Sequence, residues 1–254
     1  MPHSSPIVRT HGLTRDFRGF RAVDGVDLAV ADGSTHALVG PNGAGKTTLF
    51  NLLSGFLRPS AGRVEVAGRD VTGWTPERVA GIGVARSFQI TNLFGNLTAR
   101  DQVELALQSR SRLGWQFWRS ARVMHRYRDR ALAHLEDVGL ADAAESTSDS
   151  LPYGRKRALE LAIALALEPT VLLLDEPTAG MGLEDIDRTV ELIAKVRGGR
   201  TVVLVEHNMS VVGRLADRVT VLQAGRVLAE GSYHEVRQDE RVIAAYLGSG
   251  DGAH

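Results

Sequence analysis

Cysteine is absent from all 254 residues. That removes disulfides, zinc–thiolate sites and thiol catalysis from consideration. No stretch approaches the roughly 18–20 consecutive apolar residues of a bilayer span. The opening residues Met1-Pro2-His3-Ser4-Ser5-Pro6 lack the apolar centre of a secretion signal. The expectation is a soluble, intracellular protein whose membrane association, if any, comes through a partner. Net charge is also missing: 30 basic residues face 30 acidic ones, which argues against a globally basic nucleic-acid binder. Lysine is confined to Lys46, Lys156 and Lys195, an arginine bias from which no function is drawn. The histidines do not gather at ligand spacing, so no protein-built metal site is expected. There is no internal repeat, which leaves a single module.

Against this background one stretch stands out. Gly40-Pro41-Asn42-Gly43-Ala44-Gly45-Lys46-Thr47 satisfies the phosphate-binding pattern G-x-x-x-x-G-K-[ST] at every fixed position. The apolar run His36-Ala37-Leu38-Val39 enters it. The helix-like run Thr48-Leu49-Phe50-Asn51-Leu52-Leu53 leaves it, which is the strand–loop–helix context the pattern needs. Glycines let the backbone wrap closely enough for N–H groups to point at phosphate oxygens. The helix N-terminus adds its positive dipole end. Lys46 is suited to the β- and γ-phosphates and the Thr47 hydroxyl to Mg²⁺. A nucleoside triphosphate ligand follows.

The rest of the chain reads as an α/β protein. Ala22–Val30, Arg63–Val66 and Gly83–Phe88 read as strands, and the first ninety residues as short strands with turns. From about Thr91 to Glu168 the pattern turns helical, with Leu97–Gln108 amphipathic and Phe117–Val138 long. Strand and helix then alternate: Val171–Leu174, Glu184–Val196, Thr201–Val205, Ser210–Ala216 and Val219–Gln223. Such alternation predicts a parallel sheet covered by helices. The helical middle reads as an insertion into that core, and Ala224-Gly225-Arg226 as a hairpin turn.

Further candidates sit at predicted strand ends, where ligands of parallel sheets bind. Val171–Leu174 runs into Asp175-Glu176. Asp175 is placed to hold Mg²⁺, directly or through water, and Glu176 to act on an attacking water. Thr201–Val205 ends in Glu206-His207, so His207 is a candidate to touch the γ-phosphate or orient Glu176. Gln89 follows Val84-Ala85-Arg86-Ser87-Phe88 at the junction with the insertion. There it is a candidate to sense Mg²⁺ and move the insertion.

These segments together resemble the ATP-binding subunits of ABC transporters, and the resemblance covers nearly all of the chain. It implies a RecA-like P-loop core with an antiparallel β subdomain, formed by residues 1–90 and 161–254, and a helical subdomain at about 91–160. It implies ATP and Mg²⁺ as ligands, with Phe17 stacking on adenine and Thr48 joining the phosphate loop. The family's Leu-Ser-Gly-Gly-Gln signature aligns with Leu151-Pro152-Tyr153-Gly154-Arg155. Tyr153 and Gly154 are then expected to close the phosphate loop of a second subunit, with the amides at Gly154 replacing the missing serine hydroxyl. The Leu-Pro-Tyr-Gly signature resembles the branched-chain amino-acid and amide/urea uptake branch. So do Glu176-Pro177-Thr178-Ala179-Gly180-Met181, Val84–Gln89 and the tail Val242–Gly248. Within it the LivG-type subunits are the nearest likeness. The resemblance implies a second ATP-binding subunit, identical or LivF-type, and a transmembrane permease. An extracytoplasmic substrate-binding protein acts indirectly, and the chain itself lies on the cytoplasmic face of the membrane. No nucleic-acid partner is expected.

Other readings stay open on the sequence. They are import of urea, short amides or other amino acids, lipopolysaccharide export, and a soluble ABC ATPase. A P-loop metabolic kinase would lack the Tyr153-Gly154 segment and the Glu176/His207 pair. Seven arginines between Arg110 and Arg130, interleaved with Trp115, Phe117 and Trp118, read first as a solvated helix with aromatic anchors. Contact with anionic lipid, a membrane partner or single-stranded nucleic acid is the sharper alternative.

Overall fold

The computed structural model of the chain describes residues 6–87, 93–110 and 121–248. In chain order the strands are β1 (Pro6–Phe17), β2 (Phe20–Ala31), β3 (Thr35–Val39), β4 (Ala61–Val66), β5 (Arg69–Asp70), β6 (Val84–Ser87), β7 (Val171–Asp175), β8 (Thr201–Val205), β9 (Arg218–Gln223) and β10 (Arg226–Gly231). The helices are α1 (Lys46–Leu53), α2 (Pro76–Ala80), α3 (Ala99–Arg110), α4 (Ala121–Asp137), α5 (Tyr153–Ala166), α6 (Leu183–Val196), α7 (Met209–Leu215), α8 (Tyr233–Gln238) and α9 (Glu240–Gly248). No helix among the described residues is long and apolar enough to cross a membrane.

The strands form two sheets. The first is antiparallel, in the order β2-β1-β4-β5. The second has the order β10-β9-β3-β8-β7-β6 and is parallel except for the terminal β9–β10 hairpin. Every residue of β3, β7 and β8 is buried. Helices cover both faces of such a sheet, which is why these strands read as unbroken apolar runs. The hairpin turn at Ala224-Gly225 takes positive φ at both residues, 47° and 79°.

The α/β expectation is borne out, with one difference in scale. β1 and β2 are each 12 residues long rather than short. Register shifts interrupt their pairing between Thr10 and Leu13 and again between Leu13 and Asp16. Each shift breaks the apolar–polar alternation by which a long strand is recognised.

Among the described residues three apolar clusters hold the layers together. One joins Leu13, Val26 and Leu28 of the antiparallel sheet to Leu49, Phe50 and Leu53 of α1 and to Leu173 and Val203 of the parallel sheet. A second packs α3, α4 and α5 on one another through Val103, Leu107, Ala131, Leu135 and Leu159 and continues to Leu172, Leu174 and Ile193. The third lies under the C-terminal helices, around Val212, Val236 and Val242. The helical insertion thus shares its core with one face of the sheet. α5 runs through residue 160 without interruption.

Candidate active site

In the parallel sheet β8 lies between β3 and β7. The segments leaving the carboxyl ends of these three neighbours carry the phosphate loop, Glu206-His207 and Asp175-Glu176. Chain positions as distant as 40 and 207 therefore lie at the same carboxyl end of the sheet.

The loop geometry follows from its glycines. Gly40, Gly43 and Gly45 take φ of 147°, 77° and 99°, conformations that cost little only without a Cβ. Space decides as well: a Cβ on Gly40 would stand 2.2 Å from Leu222 O, and one on Gly45 2.2 Å from Ala22 O. Ala44 is buried, while Asn42 and Gly43 are exposed at the tip. Pro41 O accepts the Ala44 N–H at 3.1 Å. α1 begins at Lys46, with Thr47 and Thr48 in its first turn. The Lys46 Nζ donates to Gly40 O at 2.7 Å and Pro41 O at 3.1 Å, so the loop carbonyls hold its charge across the loop's own concavity.

Asp175 is 1% exposed. Its Oδ2 accepts from Arg86 Nη2 at 2.8 Å. Its Oδ1 is buried without a hydrogen-bond partner. An orphaned carboxylate oxygen is uncommon in a folded core and is the hard donor that Mg²⁺ takes. Together with the hydroxyl of exposed Thr47 it makes a donor set that fits the ion. Among the described residues no cluster of three or more His, Asp or Glu is placed to hold a metal unaided, so the remaining ligands would be water and phosphate oxygen.

Glu176 extends the β7–β8 ladder by one bond, its N–H donating to Val205 O at 2.9 Å. It then takes φ of 47°, a left-handed conformation that costs a non-glycine residue about 1 kcal/mol or more. Whereas Asp175 is buried, the Glu176 side chain past the turn is partly exposed. Its Oε1 lies 3.9 Å from His207 Nδ1, with the Glu176 side chain 24% exposed and the His207 side chain 60% exposed.

Other expected residues lie on separate walls. Phe17 is 39% exposed, its ring covered by the Arg15 guanidinium at 4.6 Å. It pairs with Phe20 at the end of the β1–β2 hairpin. Phe20 and Arg21 line a cleft with Pro41, Asn42, Gly43 and Ala44. Tyr153 and Gly154 open α5. The Tyr153 hydroxyl donates to Ala179 O at 3.0 Å and accepts from Arg157, tying the start of α5 to the turn after Glu176. Gly154 lines a cavity of about 270 Å³ with Pro177, Asp185 and Leu174, away from the phosphate loop. Gln89 lies outside the described residues, as do 111–120 of the arginine-rich stretch. Within that stretch Arg128 and Arg130 reach Glu145 and Glu168, the behaviour of a solvated helix face.

Three residues of the site escape sequence reasoning. Arg86 also donates to Asn51 Oδ1 at 2.6 Å and Ser54 Oγ at 3.1 Å, which ties β6 to α1. Its only sequence signal is an arginine inside a short apolar strand. Glu206 is fully buried and is signalled by a carboxylate closing an apolar run. Phe20, 65% exposed, is a second aromatic beside Phe17.

The family described as "ABC transporter" matches residues 23–179. That described as "Branched-chain amino acid ATP-binding cassette transporter" matches residues 226–252. The chain is 37% identical to the high-affinity branched-chain amino acid transport ATP-binding protein BraF of Pseudomonas aeruginosa, over 96% of this chain and 99% of that one. It is 35% identical to the LivG protein of the same description from Escherichia coli K12, with the same coverage. Among solved structures, the ADP conformation of an ATP-binding cassette of an ABC transporter superposes with a TM-score of 0.82 at 28% identity. That match covers 96% of this chain and 100% of the other. With a matching fold, a matching phosphate loop and relatives aligned end to end, this chain belongs to the ABC transporter family of ATP-binding cassettes.

Proposed function

We propose that this chain binds ATP with Mg²⁺ and hydrolyses it to drive a membrane importer, with branched-chain amino acids as the transported class. The convergence of the phosphate loop, Asp175, Glu176 and His207 at the ends of β3, β7 and β8 carries the catalytic half of this reading. The 226–252 match and the relatives' names support the substrate class.

The loop amides and Lys46 receive the β- and γ-phosphates, exchanging the Gly40 and Pro41 carbonyls for phosphate oxygens. Mg²⁺ held by Thr47 and Asp175 Oδ1 would offset charge on the same phosphates. Glu176 accepts a hydrogen bond from water in line with the γ-phosphorus. The water oxygen bonds to phosphorus as the bond to the β–γ bridging oxygen breaks and the water's proton passes to the Glu176 carboxylate, leaving ADP and phosphate. His207 orients the Glu176 carboxylate. Phe17, with Phe20 nearby, offers a platform for adenine. Tyr153 and Gly154, away from their own phosphate loop, suit service to a second subunit, identical or LivF-type. Gln89 is assigned to coupling with the permease, which would hold the chain at the inner face of the membrane.

The deciding experiment is co-expression with the encoded permease and binding protein, followed by reconstitution in proteoliposomes. Uptake of leucine, isoleucine or valine with hydrolysis stimulated by the loaded binding protein is the expected result. Stimulation by urea or short amides alone would replace the substrate class. Hydrolysis with no permease captured would point to a soluble ATPase.

A further inference from the structure

Glu206 is buried, with no exposed surface, and no ion pair reaches it among the described residues. A desolvated carboxylate persists only where donors replace its water. Here four do. Oε1 accepts from the Thr178 N–H at 3.2 Å and the Thr178 hydroxyl at 2.5 Å. Oε2 accepts from the His207 N–H at 3.1 Å and the Asn208 N–H at 3.2 Å. One oxygen thus serves the segment leaving β7 and the other the segment leaving β8.

Those two segments carry the catalytic pair. Thr178 belongs to the turn that Glu176 O closes by accepting the Ala179 N–H at 3.1 Å. Asn208 goes on to cap α7 with its side chain, so His207 sits between two fixed points. Strand pairing cannot set the separation of Glu176 and His207, because the ladder ends at Glu176 N–H to Val205 O. Beyond it, Glu206 ties the two chains together.

We propose that Glu206 is a positioning residue for hydrolysis, holding Glu176 and His207 at their working separation by clamping Thr178 to the His207–Asn208 backbone. This rests on the reading of Glu176 as the residue that polarises water.

The test uses the full chain in its assembled transporter and three variants. Glu206→Gln keeps the shape but turns an NH₂ toward donors. Thr178→Val removes the hydroxyl at constant shape, and Thr178→Ser restores it. Misplacement on the ångström scale costs about 10²-fold in rate. Glu206→Gln should lose kcat on that scale and Thr178→Val at least about a tenth of it, with KM and the ATP dissociation constant of the full chain unchanged. Thr178→Ser should recover the parent kcat. Unchanged kcat in Glu206→Gln and Thr178→Val overturns the proposal. So does a kcat loss that comes with equal loss of ATP affinity and is not rescued by serine, since that marks a general packing defect. If Glu206→Gln does not fold, the Thr178→Val and Thr178→Ser pair decides alone. Glu176→Gln measured alongside separates the two readings. Parent-like hydrolysis there overturns the Glu176 assignment and this proposal with it. An inactive Glu176→Gln beside fully active Glu206 and Thr178 variants overturns only the positioning role.

Discussion

His207 Nδ1 stands 3.9 Å from Glu176 Oε1, and Glu176 reaches that position through a left-handed backbone turn immediately after β7. A carboxylate so placed is about a quarter exposed, whereas the Asp175 it follows in sequence is buried. Glu176→Gln keeps the size of the side chain and removes the charge proposed to polarise water. Hydrolysis in the assembled complex should fall by about 10²–10⁴-fold, the usual contribution of a general base, while ATP binding persists. Steady-state hydrolysis and equilibrium ATP titration measure the two arms.

Lys46 spans the loop between the Gly40 and Pro41 carbonyls. Lys46→Ala removes the cation proposed to face the triphosphate. ATP affinity should drop by about 1.5–3 kcal/mol, the worth of a charge-assisted hydrogen bond. Calorimetric titration of the parent and variant with ATP checks this.

Phe17 is exposed enough to lose its ring without opening a core cavity. Phe17→Ala should weaken ATP binding by about 1–3 kcal/mol, the range for a stacked base, and Phe17→Tyr or Phe17→Trp should restore it. The same titration on Phe20→Ala tells whether the neighbouring ring shares the work.

Arg86 and Asp175 form a buried ion pair, their side chains 11% and 1% exposed. Removing one partner strands the other. Arg86→Ala should therefore destabilise the fold by about 3–5 kcal/mol, as expected for a broken buried pair, and loosen β6 from α1 at Asn51. Denaturant unfolding gives the number.

His36 is fully buried in β3, with Nε2 2.7 Å from the Thr220 hydroxyl. That hydroxyl spends its proton on Glu230 Oε2, so His36 donates from Nε2 as the neutral ring. Burial pushes its pKa down to about 4, against an upward pull from Glu230 and a further downward push from Arg218. The unfolded chain binds a proton near the ordinary histidine value of about 6.5 while the folded chain does not. Its contribution is therefore fully present above about pH 6.5 and is lost as pH falls toward about 4. His36→Leu should flatten the stability profile across that window in urea unfolding at a series of pH values.

Local pattern alone specified much of this molecule. The phosphate loop, the buried strands ending at Asp175 and Val205 and the β9–β10 turn were legible because each depends on neighbours in sequence. They rest on glycines that permit a tight turn, on apolar runs that demand burial on both faces, and on carboxylates and a histidine placed at strand ends. The length of β1 and β2 was obscured because register shifts interrupt their alternation. The Arg86 partner of Asp175 and the Thr178 partner of Glu206 were decided only by tertiary structure. Placing β7 between β6 and β8 brings residues 86 and 175, and 178 and 206, within hydrogen-bond reach. A buried charge draws its meaning from the groups that replace its water, and the Arg86 guanidinium at Asp175 and the Thr178 donors at Glu206 come from distant parts of the chain.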